Sequence, residues 1–139
     1  MISIVTICPW QYAKWLNECC DSVIKQTKSE TLEHIIVTIG FDFGRPKHSM
    51  QKEVRLNHDP GLSTCRNIGV AASKGDCISM LDADDWLAPD FIEKVTPHLG
   101  RTRLLCSSLK RFGNDSGFSA PPDEIFVKNQ MMEGNPLYY

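Results

Sequence analysis

Apolar residues along this chain switch repeatedly between a strand-like and a helix-like period. Ile2-Ser3-Ile4-Val5-Thr6-Ile7 is a β-branched run closing at Pro9, which predicts a buried strand that ends in a loop. Leu16, Cys19, Cys20, Val23 and Ile24 then recur at i, i+3, i+4, i+7 and i+8, with Lys14, Asn17, Glu18, Asp21 and Lys25 on the opposite side. That spacing predicts a helix covering the strand. His34 to Ile39 repeats the buried-strand pattern, and Gly40 to Lys52, with Gly44 and Pro46, reads as an irregular loop.

Glu53 to Asn57 alternates like a short strand, and Asp59-Pro60-Gly61 marks a turn before a helix that begins near Ser63 and stops at Gly75. Cys77 to Leu81 is a further buried run, followed directly by the acids of Asp82-Ala83-Asp84-Asp85. A helix from about Pro89 carries Ile92, Val95 and Leu99, with Pro97 disturbing its later part, and a strand over Arg103 to Leu109 comes next. From Arg111 the pattern decays, leaving one short strand over Ile125 to Val127. Strands alternating with helices predict an α/β fold: a mainly parallel, Rossmann-like sheet flanked by helices. Ligands of such sheets bind outside the carboxyl ends of the strands.

Composition narrows the function classes. The 139 residues suit one domain spanning 1–139, and 15 Lys plus Arg against 17 Asp plus Glu leave a formal charge of −2. That balance speaks against an electrostatically driven nucleic-acid or membrane-surface binder. Cys8, Cys19, Cys20, Cys65, Cys77 and Cys106 include no C-x-x-C pair, and most lie in apolar runs, so free thiols in a reducing compartment are expected. The N-terminal apolar run has no basic segment before it and is far shorter than the roughly 18 residues of a membrane span. A cytoplasmic protein without a membrane span is the expectation.

Three groups should meet on the carboxyl edge of the sheet: Cys8-Pro9-Trp10, Asp42, and the acidic cluster. D-x-D carboxylates at a strand end can hold a hard divalent cation while leaving positions for substrate phosphates, which suits Mg²⁺ or Mn²⁺ rather than zinc. The same acids can instead cap the following helix.

Two segments resemble a known family. Gly61-Leu62-Ser63-Thr64-Cys65-Arg66-Asn67-Ile68-Gly69 is similar to the G-x-S-x-A-R-N-x-G segment of the family 2, GT-A fold glycosyltransferases. Met80-Leu81-Asp82-Ala83-Asp84-Asp85-Trp86-Leu87-Ala88-Pro89 resembles their F-L-D-x-D-D-x-x-x-P signature, and Glu18-Cys19-Cys20-Asp21-Ser22-Val23-Ile24-Lys25-Gln26-Thr27 resembles their first helix, which commonly ends S-L/V-x-x-Q-T. Gly134-Asn135 is similar to the family's G-N segment.

The resemblance implies an inverting, metal-dependent glycosyltransferase using a nucleotide-diphosphate sugar, with a UDP-sugar the expected donor and a saccharide or other hydroxyl the acceptor. On that reading Asp82 contacts the ribose, Asp84 ligates Mn²⁺ or Mg²⁺ on the diphosphate, and Arg66 holds the nucleotide. Asp82 and Asp84 together form the metal site. Arg66 can otherwise be a helix-surface residue paired with a nearby Asp, while Gly69 permits close helix packing. Pro9 and Trp10 stand where the family has P-x-Y-N, and Trp10 either stacks on the nucleobase or closes the core. Asp42 replaces the base-reading Asp by position only, and a plain loop acid is the rival reading.

The family's catalytic base has no counterpart in motif, although Asp123, Glu124 and Glu133 are available carboxylates. The chain therefore reads as the nucleotide-sugar-binding part, truncated at the acceptor-binding end. The rival classes are a catalytically silent nucleotide-sugar-binding module or assembly subunit, and a Mg²⁺-dependent nucleotidyltransferase or phosphatase on a similar sheet. Met131, Met132, Leu137, Tyr138 and Tyr139 predict an apolar tail that either folds back on the sheet or pairs subunits in a homo-oligomer.

Overall fold

The computed structural model describes residues 1–27, 32–44, 46–100, 105, 107–113 and 116–119. It divides into two compact units, Met1–Leu99 and Gly100–Tyr139.

The first unit is an α/β layer structure. Strand β1 (Ile2–Pro9) leads through a 3₁₀ turn (Trp10–Tyr12) into helix α1 (Ala13–Ile24), then β2 (Leu32–Ile39), β3 (Gln51–Leu56), α2 (Leu62–Ala72), β4 (Cys77–Met80) and the short α3 (Phe91–Val95). A 3₁₀ turn over Thr96–His98 continues α3, which places the change of helix type at Pro97. The four strands are all parallel in the order β3-β2-β1-β4. Chain order reverses across β1, whose neighbours are β2 on one side and β4 on the other, so the switch point expected of such sheets lies at the end of β1.

The pleat sorts the core into two layers. Val5, Ile7, Ile35, Val37 and Ile39 pack with Cys65 of α2. Ile2, Ile4, Leu32, Cys19 and Val23 form a second cluster, and Cys8, Leu16, Cys20 and Ile36 a third, so α1 covers the opposite face. Gly69 brings α2 down onto the sheet: a Cβ there would collide with Val5 Cγ1, which is the close packing expected of that glycine.

Two element boundaries of this unit differ from the sequence reading in ways that show their cause. Strand β3 begins at Gln51, inside the expected loop, because its backbone pairs in parallel with β2 from His34 onward. Helix α2 ends at Ala72 rather than at Gly75. Ser73 is already extended, and its hydroxyl donates to the Gly69 carbonyl at 2.8 Å. Gly75 serves another purpose, since a Cβ there would stand 2.8 Å from the Met1 carbonyl oxygen and from the Ser3 nitrogen.

In the second unit Leu105, Ser107 and Ser108 are not in a strand; β5 (Leu109–Arg111) pairs antiparallel with β6 (Gly117–Ser119), a hairpin where the pattern predicted decay. Gly113, at φ +86°, supplies the left-handed turn conformation between them. The expected strand over residues 125–127 and the apolar tail lie outside the described residues.

Candidate functional site

Strand β4 is short, and that places the acids. Its four residues pair only with Ile2–Val5, and the Leu81 N–H makes a last sheet bond to the Val5 carbonyl at 3.0 Å. Residues 82–85 therefore leave the sheet while β1 still has Thr6 to Pro9 to run. Ala83 is buried with Cys8, Leu16 and Cys20, whereas Asp82, Asp84 and Asp85 are exposed. The Asp85 N–H closes a tight turn on the Asp82 carbonyl at 3.0 Å. Burial first, and then the charges of Asp84 and Asp82, push the Asp85 carboxyl above the usual carboxylate range.

Arg66 rises from α2 to this loop. Its Nη2 is 3.9 Å from Asp82 Oδ1, with the guanidinium side chain about a quarter exposed at 26%. The structure thus joins the Arg66 and Asp82 of the two sequence motifs, in the geometry that both the nucleotide-holding and the surface-pair readings require.

Trp10 follows β1 directly and is 68% exposed, too open to close the core. Pro9 before it is half-buried. The indole lies beside the end of β2, where a Cβ on Gly40 would stand 3.8 Å from its Cδ1. Asp42 stands on the same edge but is engaged with β3: Oδ2 accepts from Arg55 Nη1 at 2.6 Å and Oδ1 from the Gly44 N–H at 2.8 Å. Glu53 of β3 accepts from the Phe43 N–H at 3.1 Å, so β3 holds this loop twice.

No group of three or more His, Cys, Asp or Glu side chains among the described residues is arranged to hold a metal ion by itself. Cys8, Cys19, Cys20, Cys65 and Cys77 are free thiols, as expected, and burial pushes the first three up to about 12, which keeps them unreactive. Asp123, Glu124, Glu133, Asn135 and Cys106 lie outside the described residues. A cleft of about 300 Å³ opens between α1 and residues 86–89, lined among others by Glu18, Asp21, Trp86 and Pro89, and none of the six expected site residues borders it.

Spacing reads Cys19 only as part of the apolar stripe and gives no role to Ser22 and Gln26, yet all three grip the segment that carries the acids. The Cys19 thiol donates to the Asp82 carbonyl at 3.6 Å. Ser22 Oγ accepts the Leu87 N–H at 3.1 Å. Gln26 donates through Nε2 to the Ala88 carbonyl at 2.8 Å and accepts the Ile92 N–H on Oε1 at 3.1 Å. The signal that could have found Ser22 and Gln26 is the resemblance of the end of this helix to the end of the family's first helix.

Comparison with known proteins places the chain. The model of glycosyl transferase family 2 matches residues 47–138, more than half of the chain, and the protein belongs to that family. Two relatives from Bacillus subtilis (strain 168) carry glycosyltransferase in their names. EpsH is 31% identical over 118 residues, covering 78% of this chain and 34% of its own length. EpsJ is 28% identical over 149 residues, covering 96% and 43%. The chain thus spans less than half the length of either relative.

Among solved structures, S. aureus TarS 1–349 in complex with UDP-GlcNAc superposes with a TM-score of 0.63 at 16% identity, over 91% of this chain and 38% of that one. That likeness shows the fold, which is the GT-A-like sheet the motifs implied. Among the described residues no helix is long and apolar enough to cross a membrane.

Proposed function

We propose that this chain forms the nucleotide-sugar-binding part of a glycosyltransferase and takes a UDP-sugar on the edge formed by Trp10, Arg66, Asp82 and Asp84. The observation that carries the reading is the convergence of Arg66 and Asp82 at 3.9 Å beside the switch point, in a family 2 chain whose fold is shared with a UDP-GlcNAc-binding protein. Trp10 offers an exposed ring for the nucleobase, and Asp82 is the partner for the ribose. Arg66 supplies a fixed positive charge where the leaving diphosphate gathers negative charge. Asp42 reaches the base only by exchanging Arg55.

Exposed carboxylate oxygens are the donor set that Mg²⁺ or Mn²⁺ prefers, and such ions commonly take one or two protein carboxylates plus substrate phosphates and water. Asp84, with Asp82, would hold the ion, which stabilises the departing nucleoside diphosphate as a Lewis acid. Transfer would proceed by attack of an acceptor hydroxyl on the anomeric carbon with inversion.

Calorimetry of UDP with Mn²⁺, with and without EDTA, tests the site. Asp84→Ala should weaken Mn²⁺-dependent UDP binding by at least about tenfold, as removal of a metal-ligating group does. Equal UDP affinity in EDTA would overturn the metal-dependent reading. Assay of free UDP with and without candidate acceptors then separates transfer from a silent binding module.

A further inference from the structure

The acidic loop makes almost no structure of its own. Between the end of β4 and the start of α3, the backbone bonds within the segment are the Asp85 N–H on the Asp82 carbonyl and the Phe91 N–H on the Ala88 carbonyl. Leu81 closes the sheet on Val5, and beyond it the Asp82, Ala88 and Pro89 carbonyls and the Leu87 N–H are met by α1 and the residues just beyond it. Buried main-chain donors and acceptors need partners, so whatever supplies them also determines the path of the chain.

Cys19, Ser22 and Gln26 are spaced i, i+3 and i+7, which brings them onto one side of the helix and its extension. They meet the Asp82 carbonyl, the Leu87 N–H, the Ala88 carbonyl and the Ile92 N–H in that order along the loop. The Thr27 N–H adds a bond to the Pro89 carbonyl at 3.1 Å. At these points side chains of the helix stand where the backbone of a neighbouring strand would.

Behind the first contact runs a buried polar chain. The Lys47 N–H donates to Gln51 Oε1 at 3.1 Å, which turns Gln51 Nε2 toward His34 Nδ1 at 3.3 Å. His34 therefore carries its proton on Nε2 and donates to Thr6 Oγ1 at 3.0 Å. Thr6 Oγ1 lies 3.9 Å from Cys19 Sγ, and because the single thiol proton goes to the Asp82 carbonyl, the hydroxyl is the donor of that pair. His34, Thr6 and Cys19 are fully buried, so bulk water does not compete for these bonds.

We propose that α1 is the positioning element of the acidic loop, with Cys19, Ser22 and Gln26 as positioning residues that hold Asp82 and Asp84 where the metal-bound diphosphate needs them. This rests on the nucleotide-sugar reading of the site, and the test is built so that the two can fail separately. A displacement of about 1 Å in a binding constellation costs up to about 100-fold in rate, so the contacts act on the ligand without touching it.

The experiment uses the whole chain and two readouts. Amide hydrogen exchange over residues 82–92 without ligand reports the loop alone, and calorimetry with UDP and Mn²⁺ reports the site. Ser22→Ala removes the acceptor of the Leu87 N–H, and Gln26→Glu removes the donor to Ala88 while keeping an acceptor for Ile92. Both variants should speed exchange in the segment about tenfold or more and weaken UDP binding several-fold, with Ser22→Thr restoring both.

Ile35→Ala, on the sheet face away from α1, is the control for a general loss of stability: it should lower the melting temperature with local exchange over residues 82–92 unchanged. Unaltered exchange in Ser22→Ala and Gln26→Glu overturns the proposal, as does faster exchange with full UDP affinity. A wild-type chain that binds no UDP defeats the functional reading instead, and the exchange result still decides whether α1 holds the loop.

Discussion

The two faces of the four-stranded sheet are built from the same strands and do different things. Toward α2 the strands present Val5, Ile7, Ile35, Val37 and Ile39, with Val54 and Leu56 packed beside them. Toward α1 the alternate positions include Thr6, Cys8, His34 and Thr38, all fully buried. The aliphatic face attracts α2 without direction and depends on area and close fit, which Gly69 makes available. The face toward α1 keeps an apolar part in Ile4, Leu32 and Ile36 but adds directed bonds, which run from Gln51 through His34, Thr6 and Cys19 to the Asp82 carbonyl. The aliphatic face thus seats the helix that carries Arg66 by area and fit, and the other face ties the acidic loop by directed bonds.

Damage to the aliphatic face gives the largest expected effect and breaks the comparison if it also disturbs the site. Ile35 is fully buried, and Ile35→Ala should cost about 2–5 kcal/mol in denaturant unfolding. Exchange over residues 82–92 should not change until the protein unfolds globally.

Acid titration probes the polar face with a smaller effect. Burial pushes the His34 imidazole down to about 4, so the folded protein keeps it neutral while the unfolded chain takes up a proton at its ordinary value near 6.5. The contribution is therefore fully present above pH 6.5 and is lost as pH falls toward 4, at a slope of up to about 1.4 kcal/mol per unit. Unfolding free energies at pH 7.0, 6.0 and 5.0 should show this decline, which Gln at position 34 would flatten if His34→Gln folds. Below that window Glu33 adds a second loss. Despite the opposing effect of burial, hydrogen bonds from Ser3, Lys74 and Gly75 lower its carboxyl, and protonation removes them.

The smallest effect belongs to the Asp42 loop. The Arg55 pair is short at 2.6 Å, yet both side chains are about half exposed, at 52% and 60%, so water and salt screen it. Arg55→Ala should change stability by less than about 1 kcal/mol. Measured beside Ser22→Ala, it sharpens the contrast between a loop tied by an exposed ion pair and one tied by buried hydrogen bonds.

Legibility followed the range of the interaction. Gly69 was readable as a packing glycine, and Asp82 and Asp84 were readable at a strand end, because each depends on a pattern within about ten residues of itself. The boundaries of β3 and α2 were missed because their cause is elsewhere: pairing with β2 starts β3 early, and the extended Ser73 ends α2 before its glycine. Asp42 shows the limit most plainly, since position alone put it on the edge while its engagement with Arg55 depends on which strand lies next to β2.

What the sequence determined by itself is the alternation of strand and helix periods, the acidic run after a short apolar strand, and the motif pair that marks the family. Local sterics and the burial of one face act over a few residues, so they leave their record in spacing. The tertiary structure alone decided that α1 would hold the acidic loop. Its bonds join residues 62 to 66 positions apart, and a serine, a cysteine and a glutamine acquire their roles only when the parallel order of the strands brings the helix against that loop. Hydrogen bonds carry direction over about 3 Å and nothing beyond it, so a partner that distant in the chain leaves no trace in local spacing.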